Sequence, residues 1–211
     1  YARILTASLH GMDAETTWVE VDEENGMPSF SVVGLANQSI KEAKDRIHAA
    51  MVNCGYLFPP KRFTVNLTPA NRRKEGSHYD LAIALGLLLS TGQLSLQEGE
   101  PLACLGELSL DGRIAPVDWV LSMIITLQSK GIENIMLPKE NLPEACLVKG
   151  AKLYPVETLP QAADHISGFD PIRPVLADGL PVAEQGSAIP DFSDIRGQNA
   201  VKRAAQMAAA G

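Results

Sequence analysis

The stretch Gly106-Glu107-Leu108-Ser109-Leu110-Asp111-Gly112-Arg113-Ile114-Ala115-Pro116 forms the tip of a predicted β-hairpin, whose arms are Leu102–Leu110 and Arg113–Pro116. The Asp-Gly pair at its centre supplies the positive φ angles that a short turn requires. A second stretch, Thr68-Pro69-Ala70-Asn71-Arg72-Arg73-Lys74-Glu75-Gly76-Ser77-His78-Tyr79-Asp80, leads into the apolar run Leu81–Leu89. That run is too long and too rich in Ala and Leu for a strand, so it predicts a buried helix.

Strand and helix patterns are mixed along the rest of the chain. Alternation predicts strands at 5–9, 18–22, 29–33 and 62–68, with short strands at 135–137 and 152–154. Helical spacing predicts helices at 40–54 and 119–130, with short helices near 140 and after 158. Ser39 and Glu42 are predicted to form a capping box. The fold class is therefore α+β, a two-layer α/β domain with an antiparallel start.

The domain is predicted to cover residues 1–168. Residues 169–190 hold four prolines and little periodicity, which is typical of a linker. Residues 191–211 begin with Asp191-Phe192-Ser193-Asp194-Ile195-Arg196-Gly197-Gln198 and continue into an Ala-rich helix start. We expect the chain to stop inside a second domain, and the absence of an initiator Met predicts a trimmed N-terminus.

Composition restricts the class of protein. With 45% apolar and 20% charged residues, the 211-residue chain is typical of a globular protein, and a net charge of -7 disfavours nonspecific coating of DNA. Three scattered cysteines predict reduced thiols in a cytoplasmic protein. The longest apolar run has about half the length of a membrane span, so no membrane partner is expected. The four histidines are far apart and predict no metal site.

Charge is distributed unevenly along the chain. Residues 41–74 hold eight cations against Glu42 and Asp45; the cations are Lys41, Lys44, Arg46, Lys61, Arg62, Arg72, Arg73 and Lys74. This excess predicts either a patch for phosphate or an acidic partner, or a solvated face without a ligand.

Both informative stretches resemble the proteolytic domain of Lon, whose fold is shared with the second domain of small-subunit ribosomal protein five. The motifs occur in the same order and spacing, and they continue to Gly131-Ile132 and Leu137-Pro138-Lys139-Glu140-Asn141. The resemblance implies a Lon-like fold for residues 1–168.

The same resemblance argues against protease chemistry. Lon uses a Ser nucleophile that a Lys activates, and the two side chains must lie within hydrogen-bond reach. In this chain the serine position falls on His78, with Ser77 one residue early, and the lysine position falls on Leu121. A new triad of Ser77, His78 and Asp80 is disfavoured because neighbours on one loop rarely converge in that geometry. We therefore expect no catalysis from this chain.

Nearly the whole chain resembles the N-terminal domain of the ComM (YifB) family, AAA+ proteins described as magnesium-chelatase-like. The resemblance rests on Val33-Gly34-Leu35, Lys41–Ile47, Val65–Ala70, Lys74-Glu75-Gly76 and Tyr79–Ala84, with Asp191–Gln198 opening the AAA+ module. It implies a hexameric ATPase that drives DNA branch migration during natural transformation. It further implies ATP and Mg²⁺ in the full-length protein and neither in this fragment, with Ile195, Gly197 and Gln198 beside the nucleotide.

Four cations are candidate contacts with branched or single-stranded DNA. Arg72, Arg73 and Lys74 follow one another on a strand-to-helix loop and could reach separate phosphates. The alternative for this loop is a contact between subunits, and the alternative for Arg113 is a solvated hairpin tip. Trp18 and Trp119 are predicted to lie in the core rather than to stack on bases.

The predicted function is that of a non-catalytic N-terminal domain of a hexameric DNA motor, contributing ring contacts and DNA guidance. The ring itself would form through the AAA+ module. A degenerate, protease-like adaptor that binds peptides for an AAA+ ring is the alternative. A subunit of a true magnesium chelatase is a third hypothesis.

Overall fold

The computed structural model describes residues 1–11, 13–97, 99–178 and 198–210. The chain divides into two compact units, Tyr1–Leu180 and Pro181–Gly211. No helix in these described ranges is both long enough and apolar enough to span a bilayer.

The first unit contains ten strands and five α-helices within its described residues. The strands are β1 Ala2–His10, β2 Asp13–Glu24, β3 Ser29–Val33, β4 Arg62–Thr68, β5 Leu102–Cys104, β6 Glu107–Leu108, β7 Ile114–Ala115, β8 Asn134–Pro138, β9 Lys152–Val156 and β10 Val175–Leu176. The helices are α1 Gln38–Asn53, α2 Asp80–Ser90, α3 Val120–Ser129, α4 Leu142–Ala145 and α5 Leu159–Ser167, with a 3-10 turn at Lys139–Asn141. The second unit contains α6 Asn199–Ala210. The predicted strands and helices are present, but β2 begins at Asp13 rather than at residue 18, and the predicted hairpin arm 102–110 is divided between β5 and β6 of different sheets.

A mixed eight-stranded sheet forms the centre of the first unit, in the order β10-β9-β8-β5-β1-β2-β4-β3. Its start is antiparallel as predicted, since β1 pairs with β2 and β2 with β4 in that sense. The middle strands β1, β5, β8 and β9 run parallel to one another.

Helices cover both faces of this sheet, so the prediction of two layers is wrong. On β8, Ile135 and Leu137 pack into a core with α3, whereas Met136 packs into another core with α1, α2 and α5. Adjacent strand residues point to opposite faces, and a strand that is apolar on both faces must be covered on both. The unit therefore has three layers, with helices above and below the sheet.

The two stretches that predicted the fold take the expected local forms. Every residue of α2 from Asp80 to Leu88 is buried, as its uninterrupted apolar run predicts. β6 and β7 form the hairpin, and Gly112 adopts a φ of 84° at its turn. Within the Asp-Gly pair only the glycine has a positive φ. This corrects the prediction of two positive φ angles.

Two other details differ from the sequence-based expectations. Helix α1 is capped by Asn37, whose side chain accepts a hydrogen bond from the backbone N–H of Ile40 at 3.1 Å, so no capping box forms at Ser39. Within the stretch expected to be a linker, β10 pairs with β9 and Ala177 is buried. Residues 179–190 of that stretch lie outside the described residues.

Candidate functional site

The basic loop, residues 69–74, joins β4 to the segment before α2 and is fastened to the start of α1. The backbone N–H of Lys74 donates to Leu35 O at 3.0 Å, and the N–H of Asn37 donates to Lys74 O at 3.0 Å. The Lys74 side chain turns inward, where its ammonium donates to the carbonyls of Pro69 and Arg72. Lys74 therefore closes the loop on itself.

Burial removes Lys74 from the set of candidate DNA contacts. The residue has no exposed surface, and burial lowers the pKa of its amine. An ammonium that donates to two loop carbonyls cannot reach a phosphate from this position. The prediction for Lys74 is therefore corrected: it positions the loop rather than contacting a partner.

Arg72 and Arg73 project from the loop and are exposed. Arg73 lies 3.2 Å from a carboxylate oxygen of Glu75, and both side chains are largely in solvent. Such an exposed ion pair contributes little free energy, so Arg73 can leave Glu75 and bind another anion at small cost. The structure thus presents a two-arginine tip on a closed loop.

Arg113 lies far from this tip. Its hairpin turn docks against the C-terminal end of α1, where Asn53 donates to the Leu110 carbonyl at 2.7 Å. The basic loop is fastened to the opposite end of the same 16-residue helix. At 1.5 Å per residue the two ends are about 24 Å apart. Arg113 also pairs with Asp111 at 2.7 Å, and therefore does not share a compact patch with Arg72 and Arg73.

The segment that resembles the Lon catalytic loop shows no proteolytic arrangement. His78 is almost fully buried, and its Nε2 lies 3.0 Å from the Ala7 carbonyl, to which it donates. Ser77 donates its hydroxyl to the carboxylate of Glu107. Leu121 lies on α3, and no lysine lines the hollow of about 340 Å³ beside Ser77 and His78 in the described part of the chain. Ser77 therefore lacks a basic amine to activate it.

An ion pair beneath this segment connects three elements. Arg46 of α1 donates from Nε to Asp80 Oδ2 at 2.9 Å and from Nη2 to Oδ1 at 3.1 Å. The Leu108 N–H of β6 donates to the same carboxylate at 3.3 Å. Asp80 is almost fully buried, and burial raises its pKa to about 6 against the opposing effect of Arg46. Both residues stand in the quoted sequence motifs, but the sequence gave no sign of their pairing.

Replacing Lys74 by methionine is expected to lower the free energy of unfolding by about 2 kcal/mol, because two loop carbonyls lose their donor. The measurement is urea unfolding, with Lys44→Met on the exposed face of α1 as the matched control. Equal effects of the two substitutions would show that the Lys74 ammonium does not hold the loop.

His78→Gln is expected to change how stability responds to acid. Burial lowers the pKa of His78 from 6.5 to about 4. Between these two pH values the unfolded chain therefore binds a proton that the folded chain does not bind. Stability contributed by neutral His78 is therefore present above pH 6.5 and lost as pH falls towards 4. Glutamine cannot titrate but can still donate to Ala7.

The advantage of the unmodified chain over His78→Gln should shrink by about 3 kcal/mol across that window. Urea unfolding at several pH values measures it. The comparison must be a difference between the two proteins, because Asp80 titrates in the opposite sense: its raised pKa favours the folded state at low pH. A pH-independent difference would contradict the account of His78.

Trp119 does not belong to the core, contrary to the sequence-based prediction. Its side chain is 55% exposed and stands at the start of α3 with a φ of 63°. Trp18 is half-buried under the Arg3 guanidinium, which lies 3.7 Å from its ring centroid. The sequence around Trp119, Pro116-Val117-Asp118-Trp119-Val120-Leu121, is mostly apolar and gave no sign that this aromatic residue faces solvent.

A family model described as subunit ChlI of Mg-chelatase matches residues 19–141, which is more than half of the 211 residues. The chain belongs to this ChlI family. The matched region includes α1, the basic loop, α2 and the hairpin, and thus covers the Arg46–Asp80 pair and both exposed arginines.

Individual relatives confirm the resemblance found in the sequence. The chain is 36% identical to competence protein ComM of Haemophilus influenzae over 203 residues, covering 95% of this chain and 40% of the relative. It is 34% identical to the uncharacterized protein YifB of Escherichia coli over 207 residues, covering 98% and 40%. An uncharacterized protein of Mycobacterium tuberculosis is 36% identical over 211 residues, covering 99% and 41%. This ChlI-family chain therefore spans about two fifths of the length of these relatives.

Lon proteases are more distant relatives. The Lon protease of Methanosarcina barkeri is 31% identical over 106 residues, covering 46% of this chain and 13% of that protein. The Lon protease of Mycolicibacterium smegmatis is 20% identical over 144 residues, covering 64% and 18%. In this chain His78, just before α2, and Leu121, on α3, stand at the positions that the resemblance assigns to the Ser and Lys of Lon.

Of the three residues expected beside a nucleotide, the structure describes only one. Ile195 and Gly197 lie outside the described residues. Gln198 is described, is exposed and has a φ of 56° just before α6. Within the described ranges no group of three or more His, Cys, Asp or Glu side chains could hold a metal ion. Nucleotide and metal dependence of this ChlI-family protein thus remains a proposal about the longer protein.

Proposed function

We propose that this chain is the non-catalytic N-terminal domain of a ring-forming AAA+ ATPase that acts on branched DNA. The observation that carries the proposal is the 36% identity to competence protein ComM across 95% of this chain. The missing lysine beside Ser77 supports a non-catalytic role for a Lon-like fold. ATP and Mg²⁺ would act in the longer protein, which would assemble as a hexamer through its AAA+ module in the cytoplasm.

The two-arginine tip is the proposed DNA contact of this domain. Arg72 and Arg73 are exposed, and guanidinium groups bind phosphate oxygens with two parallel hydrogen bonds. Because Lys74 closes the loop from inside, little conformational freedom would be lost when the tip meets the backbone of DNA. Arg113, whose hairpin docks at the other end of α1, would contact a separate partner or solvent.

Contacts between subunits are a second use of the same loop. Glu75 follows the arginine pair and is exposed, so the loop presents both charges to a neighbouring protomer. In a ring, this contact would repeat at every interface. In the absence of DNA, a contact between subunits would affect ring assembly, whereas a DNA contact would not.

A peptide-binding adaptor is the second candidate function. It is favoured by the exposed Trp119 beside the hollow that Ser77 and His78 line. A magnesium-chelatase subunit has less support, because the described residues offer no metal-ligand cluster.

The proposed function is tested by ATP turnover of the full-length protein with and without a four-way DNA junction. Turnover that the junction stimulates supports a DNA motor. Turnover that responds to unfolded polypeptide and ignores the junction would overturn the proposal in favour of the adaptor. Size-exclusion chromatography with light scattering, with and without ATP, measures the ring separately.

A further inference from the structure

Trp119 adopts an unfavourable backbone conformation without burying its side chain. A non-glycine residue with a φ of 63° is uncommon, and its indole is 55% exposed instead of buried. Large aromatic side chains contribute most when they are removed from water. The contacts of Trp119 within the chain therefore do not account for its placement.

The segment that carries Trp119 is rigid. Asn141, itself buried, accepts from the Val117 N–H at 2.8 Å through Oδ1 and donates to the Val117 carbonyl at 2.9 Å through Nδ2. Both backbone groups two residues before Trp119 are thereby fixed. A side chain presented by a fixed backbone loses little freedom on binding a ligand.

Two hollows flank this segment, and together they form the Trp119 groove. One, of about 340 Å³, is lined by Ser77, His78 and Glu107. The other, of about 530 Å³, is lined by Asn141 and Glu144. Both share the wall Pro116–Trp119. Trp119 therefore borders both hollows.

The groove carries negative charge and free hydrogen-bond acceptors. Asp118 and Glu144 have no ion-pair partner among the described residues, and no lysine or arginine lines either hollow there. His78 uses its Nε2–H on the Ala7 carbonyl, which leaves Nδ1 as an acceptor on a ring that burial keeps neutral. His78 itself lines the first hollow.

We propose that the Trp119 groove binds an arginine-bearing, extended peptide segment of a partner protein. The guanidinium would stack on the Trp119 indole between Asp118 and Glu144, and a second N–H donor would enter the hollow of His78. The chain already contains such a stack, since Arg3 lies 3.7 Å from the ring centroid of Trp18. Carboxylates on both sides exclude the phosphates of DNA, so this surface is distinct from the two-arginine tip.

The test uses the 211-residue chain with Trp18→Phe, which leaves Trp119 as its only tryptophan. An acetylated and amidated Ala-Arg-Arg-Ala peptide is titrated while Trp119 fluorescence is recorded. The matched probe replaces both arginines by citrulline, which keeps the shape and removes the charge. Saturable quenching by the arginine peptide, with at least about tenfold weaker binding of the citrulline peptide, is the expected result.

Variants locate the binding site by anisotropy of a fluorescein-labelled arginine peptide. Asp118→Asn with Glu144→Gln should weaken binding about tenfold, whereas Asp45→Asn on the exposed face of α1 should not change it. Trp119→Gly should abolish binding without unfolding the chain, because glycine adopts a φ of 63° without penalty.

Three outcomes would overturn the proposal: equal affinity for the citrulline peptide, full binding by Trp119→Gly, or self-association of the chain through this groove that the peptide does not disturb. None of them depends on DNA binding, so failure here is distinguishable from failure of the proposed function.

Discussion

Arg46→Met is expected to lower the free energy of unfolding by about 3–5 kcal/mol at neutral pH. The substitution leaves the Asp80 carboxylate buried with the Leu108 N–H at 3.3 Å as its remaining donor among the described residues. Breaking one partner of a buried ion pair costs far more than the pair contributes, because the other charge stays desolvated. Urea unfolding measures the change.

The matched control for Arg46→Met is Arg62→Met. Arg62 pairs with Glu24 at 3.7 Å, and both side chains are 59% exposed, so its removal should cost less than about 1 kcal/mol. The deficit of the Arg46 variant should also grow as pH rises, since burial already places the pKa of Asp80 above its ordinary value. A neutral carboxyl tolerates burial, and an ionised one does not. A pH-independent loss equal to that of the control would contradict this role.

Gly34→Ala is expected to destabilise the chain by about 4 kcal/mol. Gly34 has a φ of 93°, and a Cβ placed there would lie 2.3 Å from the Leu67 carbonyl oxygen. The obstacle is backbone of the central sheet, which cannot rotate away as a side chain could. Either β3 separates from β4 or the turn before α1 shifts, and the second would also displace the basic loop fastened to Leu35 and Asn37.

Gly92→Ala is the matched control, because it adds the strain of a positive φ without a steric contact. Gly92 has a φ of 70° but no atom within 4 Å of the added Cβ, so alanine there suffers only the strain of the left-handed conformation. We expect a loss of about 1 kcal/mol at Gly92. Thermal unfolding of both variants measures the two effects. Similar losses at Gly34 and Gly92 would show that the close approach to Leu67 is relieved at no cost.

Local signals predicted those parts of the fold that depend on neighbouring residues. The Asp-Gly turn and the apolar run of α2 needed no information from elsewhere in the chain. The layering was missed because the apolar run of β8 indicates cover on both faces but does not show which helices supply it. The strand β10 was missed for a similar reason. It has two residues in a Pro-rich stretch and exists through pairing with β9.

The candidate site was predictable only in part. Arg72, Arg73 and Lys74 are equivalent in a sequence, and contacts with Leu35, Asn37 and loop carbonyls decide that Lys74 alone turns inward. The remoteness of Arg113 likewise comes from a contact between Asn53 and Leu110, which are 57 positions apart.

Burial of both tryptophans was predicted from residue type, which gives the average burial of tryptophan in proteins and not the burial of a particular residue. The exposure of Trp119 is decided by the backbone that Asn141 fixes at Val117. These failures share one cause, which is that each depends on partners distant in sequence.

The central claim is that Arg72 and Arg73 contact the phosphates of branched DNA. The most direct test is anisotropy of a labelled four-way junction with the 211-residue chain across a series of salt concentrations. Arg72→Glu with Arg73→Glu is compared with Lys130→Glu and Lys149→Glu, which make the same change in net charge at two exposed lysines beside α3 and α4.

Salt-sensitive binding is expected for the unmodified chain and for the lysine control. The arginine variant should lose binding at low salt, and replacing both arginines by glutamine should reduce the slope of log affinity against log salt by about 1.4–1.8. Absence of junction binding at low salt, or equal loss in both glutamate variants, would contradict direct contact by this loop.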